Sequence, residues 1–158
     1  MAAEAAELVY EELGAEQLSL IGPMWEKLRA HHAALSPYFS ARRLAFTFEG
    51  RSKDLLFKAE SGALHLQIVR ESQTGTPIGY CVASVSVDGE GEIDSLFVEE
   101  PYRRSGIGTQ LVRRALKWLD RAAGTRSTTI SVVDGNAQAL AFYARSGFAP
   151  DNIVLRQV

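Results

Sequence analysis

Between residues 98 and 109 the chain reads Val98-Glu99-Glu100-Pro101-Tyr102-Arg103-Arg104-Ser105-Gly106-Ile107-Gly108-Thr109, an apolar strand end running through a basic, glycine-containing loop into a helical pattern. That order of residue types suits an anion. The first turn of a helix carries backbone N–H groups without partners and a partial positive charge. Gly106 and Gly108 let the backbone close around phosphate oxygens with no Cβ in the way, and Arg103 and Arg104 add fork-shaped cationic donors. The chemistry implied is a diphosphate lying on backbone amides. The alternative is a polar loop whose glycines merely make a turn, and the loop alone does not decide between the two.

Other phosphate and metal chemistries fit poorly. A Walker loop requires Gly-Lys-Ser/Thr, which does not occur, and a dinucleotide fingerprint would place a third glycine at Leu111. Cys81 is the only cysteine, so neither an intrachain disulfide nor a cysteine-based zinc site can form. Its neighbours Gly79, Tyr80, Val82 and Ala83 mark it as a packed strand thiol. His31 and His32 are adjacent and point in different directions on a helix, and no His-Glu-x-x-His occurs, so no metal site is expected.

The elements that must hold the loop follow from periodicity. Ala63 to Glu71, Ile78 to Val87 and Glu92 to Val98 are rich in β-branched and apolar residues, separated by the turn compositions Ser72–Pro77 and Asp88-Gly89-Glu90-Gly91. They predict an antiparallel meander. After the loop, Leu111, Val112, Ala115, Leu116, Leu119 and Ala122 form the stripe of an amphipathic helix from Ile107 to Ala123, which Gly124 ends. Thr128 to Val133 reads as a strand. Asp134-Gly135-Asn136 turns into a helix that runs to Ser146, and Ile153 to Gln157 reads as a last strand.

Upstream, Leu8 to Leu13 alternates as a first strand. Leu20, Met24, Leu28, His31 and Leu35 recur at helical steps around Gly22-Pro23, and Ser36-Pro37 ends that helix. A second helix covers Arg51 to Ala59, with Leu55, Leu56 and Ala59 facing inward and Gly62 closing it. Residues 1–7 are Ala- and Glu-rich and expected to fray, leaving 8–158 as one domain. The element order predicts an α/β (α+β) fold: a mixed, mostly antiparallel central sheet with helices on both faces.

With these elements in place, the chain resembles the GNAT superfamily of N-acetyltransferases. Arg103-x-x-Gly106-x-Gly108 is similar to that family's pyrophosphate loop, and Ile93-Asp94-Ser95-Leu96-Phe97-Val98 to its fourth strand. Asn136-x-x-Ala139-x-x-Phe142-Tyr143-x-x-x-Gly147-Phe148 is similar to its second conserved block. The three occur in order across residues 92–148. The resemblance implies acetyl-CoA as co-substrate, with the fourth and fifth strands splayed and the pantetheine arm pairing with the open edge at Leu96, Phe97 and Val98. Within that implied site, the Leu96 N–H polarises the acetyl carbonyl, and the amides of Arg104, Ser105, Gly106, Ile107, Gly108 and Thr109 hold the diphosphate.

Asn136, Ala139 and Tyr143 share a helix face, which the resemblance turns toward the thioester beside Phe142. Tyr143 matches the family's general acid; a phenol with an ordinary pKa of about 10 is protonated at neutral pH. Without the resemblance it reads as a half-buried helix aromatic. Glu92 matches the glutamate used as a base in the histone-acetylating branch. Asp94, two residues on, shares its face of the strand, and a water chain is the third candidate. The family's acceptor pocket corresponds to the region holding Trp25, His31, His32, Tyr38 and Phe39, with Asp94 as a further acceptor-side residue. An aromatic lining there would suit a cationic amine, and the same residues serve equally well as core and rim packing.

The implied function is transfer of acetyl from acetyl-CoA to a primary amine by direct attack, the acceptor being a small molecule or a protein amine. A module that binds acyl-CoA without transferring is the alternative. With 158 residues, 46% hydrophobic, 23% charged and a formal charge of -2, the chain has no global field to gather nucleic acid or anionic membrane. The basic patch of Arg103, Arg104, Arg113, Arg114 and Lys117 has no interleaved aromatics, which argues against nucleic-acid binding. No stretch has the length of a membrane span, and Glu4 and Glu7 interrupt the start where a signal peptide would be apolar, so the cytoplasm is the expected compartment. A homodimer formed along an exposed sheet edge is compatible with the sequence, which does not specify the oligomeric state.

Overall fold

The computed structural model describes residues 7–122 and 124–158. Five strands form one sheet in sequential order: β1 (Leu8–Leu13), β2 (Ala63–Glu71), β3 (Pro77–Val85), β4 (Glu90–Val98) and β5 (Ser127–Ile130). β1 to β4 run antiparallel, and β5 lies parallel to β4. A parallel neighbour needs a crossover, and α4 (Ile107–Arg121) supplies it. Upstream lie α1 (Gly22–Leu35), α2 (Ser40–Ala45) and α3 (Phe48–Ser61); α5 (Ala137–Arg145) follows β5.

Strand alternation divides the core into two layers. Leu66, Ile68, Tyr80, Val82 and Phe97 face Ile21, Met24, Trp25 and Leu55 of the N-terminal helical layer. Val69, Ile78, Cys81, Ala83 and Ile93 face Ile107, Leu111, Ala115 and Leu119 of α4. The α4 stripe is buried as its spacing predicts, and each leucine removed from water contributes about 2 kcal/mol. Gln67 is buried with this layer, where its amide donates to the Leu111 carbonyl at 2.8 Å. Cys81 is fully buried, and burial pushes its thiol up to about 12, which keeps it unreactive.

Several boundaries differ from the periodicity. Leu20 lies in a 3₁₀ segment, Ala15–Ile21, and is exposed; the α-helix begins only at Gly22 with Pro23 in its first turn. α2 has no buried residue, hence no apolar stripe by which to predict it. α3 starts three residues earlier than Arg51, where the Thr47 hydroxyl accepts from the Gly50 N–H at 3.1 Å. On α3, Leu55 is buried but Leu56 faces solvent. The predicted final strand, Ile153–Gln157, is absent: those residues are irregular and exposed. Strand propensity expresses fit to a neighbouring strand, and no described strand lies beside this segment. Residues 1–6 of the segment expected to fray, and Ala123 at the expected end of α4, lie outside the described residues. Glu7 is tied down, its carbonyl accepting from the Ser72 N–H at 2.8 Å.

Candidate active site

The site begins at a fault in the sheet. Along β3 and β4, Val82 lies opposite Ser95 and Ala83 opposite Ile93, so Asp94 is the extra residue of a β-bulge. Bulges bend a strand, and here β4 leaves its neighbour: the pairing with β5 covers only Glu90–Ile93 against Ser127–Ile130. The expected strand Thr128–Val133 therefore stops at Ile130, because its last residues have no partner left. From Asp94 to Val98 the outer edge of β4 faces a gap instead of a strand. Arg51 Nη2 donates to the Asp94 carbonyl at 2.6 Å, and Arg103 Nε donates to the Val98 carbonyl at 2.8 Å. Residues two apart direct their backbone groups to the same side, so the Leu96 N–H and C=O lie on this open edge as well.

The edge leads to the loop before α4. Gly106 is left-handed (φ 85°) and caps α4 with no side-chain hydrogen bond, and Arg104 is also left-handed (φ 61°). Alternation of this kind turns successive N–H groups into one concavity, a nest for an anion. Among the described residues, no acceptor pairs with the N–H groups of Ser105, Gly106, Ile107, Gly108 or Thr109. A Cβ on Gly106 would meet nothing within 4 Å, so its side of the loop is open. At Gly108 the Cβ position lies 3.4 Å from the Phe142 ring, and the glycine thus brings α4 close to α5. Arg103 lays its guanidinium 5.4 Å from the centre of the Phe97 ring.

α5 closes the far wall. Asn136 is buried and serves as its cap, the side-chain oxygen accepting from the Ala139 N–H at 3.1 Å. Ala139, Phe142 and Tyr143 then line the gap with Asn136. Tyr143 sits between Phe142 (ring centres 5.0 Å apart) and Phe148 (6.0 Å). Burial pushes its phenol well above the usual range, with Cys81 and Tyr80 adding to the rise, so it holds its proton at neutral pH.

The two carboxylates expected on one strand face are indeed together, and they share a cation that sequence reasoning missed. Lys58 Nζ donates to Glu92 Oε2 at 2.6 Å and also to Asp94 Oδ1. The Asp94 side chain is 0% exposed, and its Oδ2 has no hydrogen-bond partner among the described residues. Burial pushes its carboxyl upward, and the Lys58 ammonium draws it part of the way back. Burial also works against the Lys58 ammonium, but the hydrogen bonds to Asp94 and Glu92 outweigh it and raise its pKa. Lys58 and Arg51 are seven residues apart on α3 and share the face toward β4. That spacing was the available signal, although nothing in it names the strand as partner.

One cavity of about 1300 Å³ joins these parts. It is lined by Asp94, Leu96, Phe97 and Val98, by Arg103, Arg104, Gly106, Gly108 and Thr109, and by the α5 residues. Ser105, Ile107, Glu92 and Tyr38 do not line it: Ile107 is buried on the sheet-facing side of α4, and Tyr38 is 71% exposed. At the other end stand Trp25 and His32. Trp25 is mostly core, packed on Phe46 and Phe48 with ring centres 6.1 and 5.5 Å away. Burial pushes His32 down to about 4, helped by the charges of His31 and Arg43, so its imidazole is neutral at pH 7. Among the described residues no cluster of His, Cys, Asp or Glu could hold a metal ion, and no helix is long and apolar enough to cross a membrane.

Residues 25–148 match the family described as the Acetyltransferase (GNAT) family. Over 79 residues the chain is 40% identical to the acetyl transferase GW6a of Oryza sativa subsp. japonica, a match covering 44% of this chain and 19% of that one. Matches to the curated relatives span from 19% to 38% of their lengths. Among solved structures, the PaiA N-acetyltransferase of Thermoplasma acidophilum in complex with coenzyme A superposes with a TM-score of 0.73 at 16% identity, over 94% of this chain and 93% of that chain. The aminoglycoside N-acetyltransferase AAC(6')-Iy in complex with CoA gives a TM-score of 0.63 at 19% identity, over 100% of this chain and 98% of that chain. At these identities the structures establish a shared fold.

Proposed function

The chain belongs to the GNAT acetyltransferase family, and from that premise we propose that it transfers the acetyl group of acetyl-CoA to an amine. One observation carries the reading. The open edge of β4 at Leu96 and the uncapped α4 N-terminus line a single cavity, the pairing a long thioester with a diphosphate would need. The residues fit that group: amide donors lie free in the nest, and the Gly106 side is open. Acetyl-CoA would supply the activated acyl carbon and a thiol leaving group.

In this reading the chain's own groups act as follows. Amides of the loop from Arg104 to Thr109 bind the diphosphate. The Leu96 N–H polarises the thioester carbonyl. Tyr143, protonated at neutral pH, gives its proton to the sulfur as the C–S bond breaks and recovers one from solvent. As the N–C bond forms, the amine proton leaves to water along the cavity, since both strand carboxylates are held by Lys58. Attack is direct, with no acyl-enzyme; the fully buried Cys81 offers no nucleophile. The acceptor is an amine on a small molecule or a protein, and the site requires no metal. The commitment of Glu92 and Asp94 to Lys58 is also what favours the alternative, a module that binds acyl-CoA without transferring.

Thermal unfolding with acetyl-CoA, CoA, ATP and NAD as separate additions tests the reading. A ligand at a hundred times its Kd stabilises by about 2.7 kcal/mol, or roughly 5–10 °C here. A shift with acetyl-CoA and CoA alone is expected, followed by thiol release when amines are supplied. No shift with either removes the proposal, and a shift without turnover of any amine moves it to the binding module.

A further inference from the structure

Resting on the acetyltransferase reading, we infer that the acceptor is a small amine that also carries a carboxylate, as an amino acid does. The acceptor end of the cavity is bordered by Arg29, Arg42, Arg43 and Arg51, against Asp54 and Asp94 as its carboxylates. Asp94 is already matched by Lys58. That leaves Asp54, exposed and outside any ion pair among the described residues, as the single unmatched negative charge on that wall. A polycation would need several.

The arginines divide into two pairs. Arg29 is committed to Glu26 at 2.5 Å and to the carbonyls of Leu44 and Phe46 at 2.8 and 2.9 Å. Arg51 is held on the Asp94 carbonyl. Arg42 and Arg43 of α2 have no carboxylate within ion-pair distance among the described residues. Arg43, like Arg29, moreover buries its Nε with no hydrogen-bond partner among the described residues, although a buried N–H of a cation is costly to leave unmade; unlike Arg29, it has no carboxylate to offset this. His32, beside them, is neutral and leaves the positive charge of this wall to the arginines. An incoming carboxylate supplies the missing acceptor with the planar geometry a guanidinium matches, while Asp54 remains for the acceptor's ammonium before it deprotonates.

The experiment compares matched pairs. CoA release is followed with phenylalanine against phenylalaninamide and with asparagine against asparagine amide, with spermidine and kanamycin as polycations, after CoA binding has been established by thermal shift. The free acids are expected to exceed their amides at least about tenfold in kcat/KM, the fold-change of one charge-assisted contact. In Arg42→Glu, an exposed change that leaves the core untouched, and in Arg43→Gln, that preference should vanish through KM while CoA affinity stays within about twofold. Arg43→Lys, which keeps the charge, should retain part of it. Equal rates for acid and amide, preference for a polycation, no turnover of either acid, or weakened CoA binding in the arginine variants would each overturn the inference. Failure of CoA to bind would instead strike the acetyltransferase reading itself.

Discussion

Replacing Lys58 by methionine keeps the length of the side chain and removes its charge. Lys58 lies 2.6 Å from Glu92 Oε2 and against Asp94 Oδ1, so the change strands the Asp94 carboxylate, whose side chain is 0% exposed, without a cation. Breaking a fully buried pair in this way costs about 3–5 kcal/mol. The Lys58 and Glu92 side chains are 33% and 35% exposed, and solvent screening there brings the expected loss to about 2–3 kcal/mol near neutral pH. For a domain of this size that corresponds to a fall in Tm of roughly 4–12 °C.

The loss must depend on pH. Burial holds the Asp94 pKa above its unfolded value, and loss of Lys58 raises it further. A carboxyl raised on folding contributes stability that is full below the unfolded pKa and lost as pH rises through the folded one. The deficit of Lys58→Met is therefore greater at about pH 8 than at about pH 5, because falling pH drives the stranded carboxyl to take up a proton. Urea denaturation at the two pH values measures it. The double variant Lys58→Met with Asp94→Asn should be more stable than additivity predicts by about 1 kcal/mol or more, since the neutral amide no longer needs the ammonium. A deficit unchanged with pH, or strict additivity, would refute this account of the triad.

Three further outcomes are expected. Tyr143→Phe should leave CoA affinity unchanged and lower turnover at least about tenfold; undiminished turnover would dismiss the phenol as the acid. In Gly135→Ala the new Cβ would stand 2.5 Å from the Leu35 carbonyl at a residue with φ 93°, so a loss of about 2–3 kcal/mol is expected in chemical denaturation. A nearly neutral result would show that α1 can move away from the β5–α5 turn. Asn136→Ala removes the α5 cap and should cost about 1 kcal/mol, whereas Asn136→Asp, which keeps an acceptor oxygen, should lose much less.

Much of the frame could be read from the residues. The stripe from Leu111 to Leu119 and the β-rich runs from Ala63 to Val98 are both written in strong periodicity, and both elements formed with boundaries close to those read. The loop at Gly106 was legible because two arginines and two glycines at the start of a helical stripe suit a backbone that closes around an anion. The bulge at Asp94 was not, since it follows from a mismatch between two strands that neither sequence shows alone. Lys58 escaped for the same reason. Its partners are 34 and 36 residues away, and a lysine on a helix ordinarily reads as solvated. Arg42 and Arg43 were hidden because α2 buries no residue and so leaves no apolar pattern.

A sheet edge without a neighbour invites another chain to add a strand, the first step toward aggregation. At the gap beside β4, Arg51 and Arg103 occupy the carbonyls of Asp94 and Val98 with side-chain donors. These act as removable plugs. A guanidinium swings aside on rotatable bonds, while a paired strand would have to be peeled away residue by residue. Two positive heads also put fixed charge before any hydrophobic strand that approaches. The molecule can thus keep its edge available to a slender ligand and closed to its own kind, using two residues rather than a covering loop.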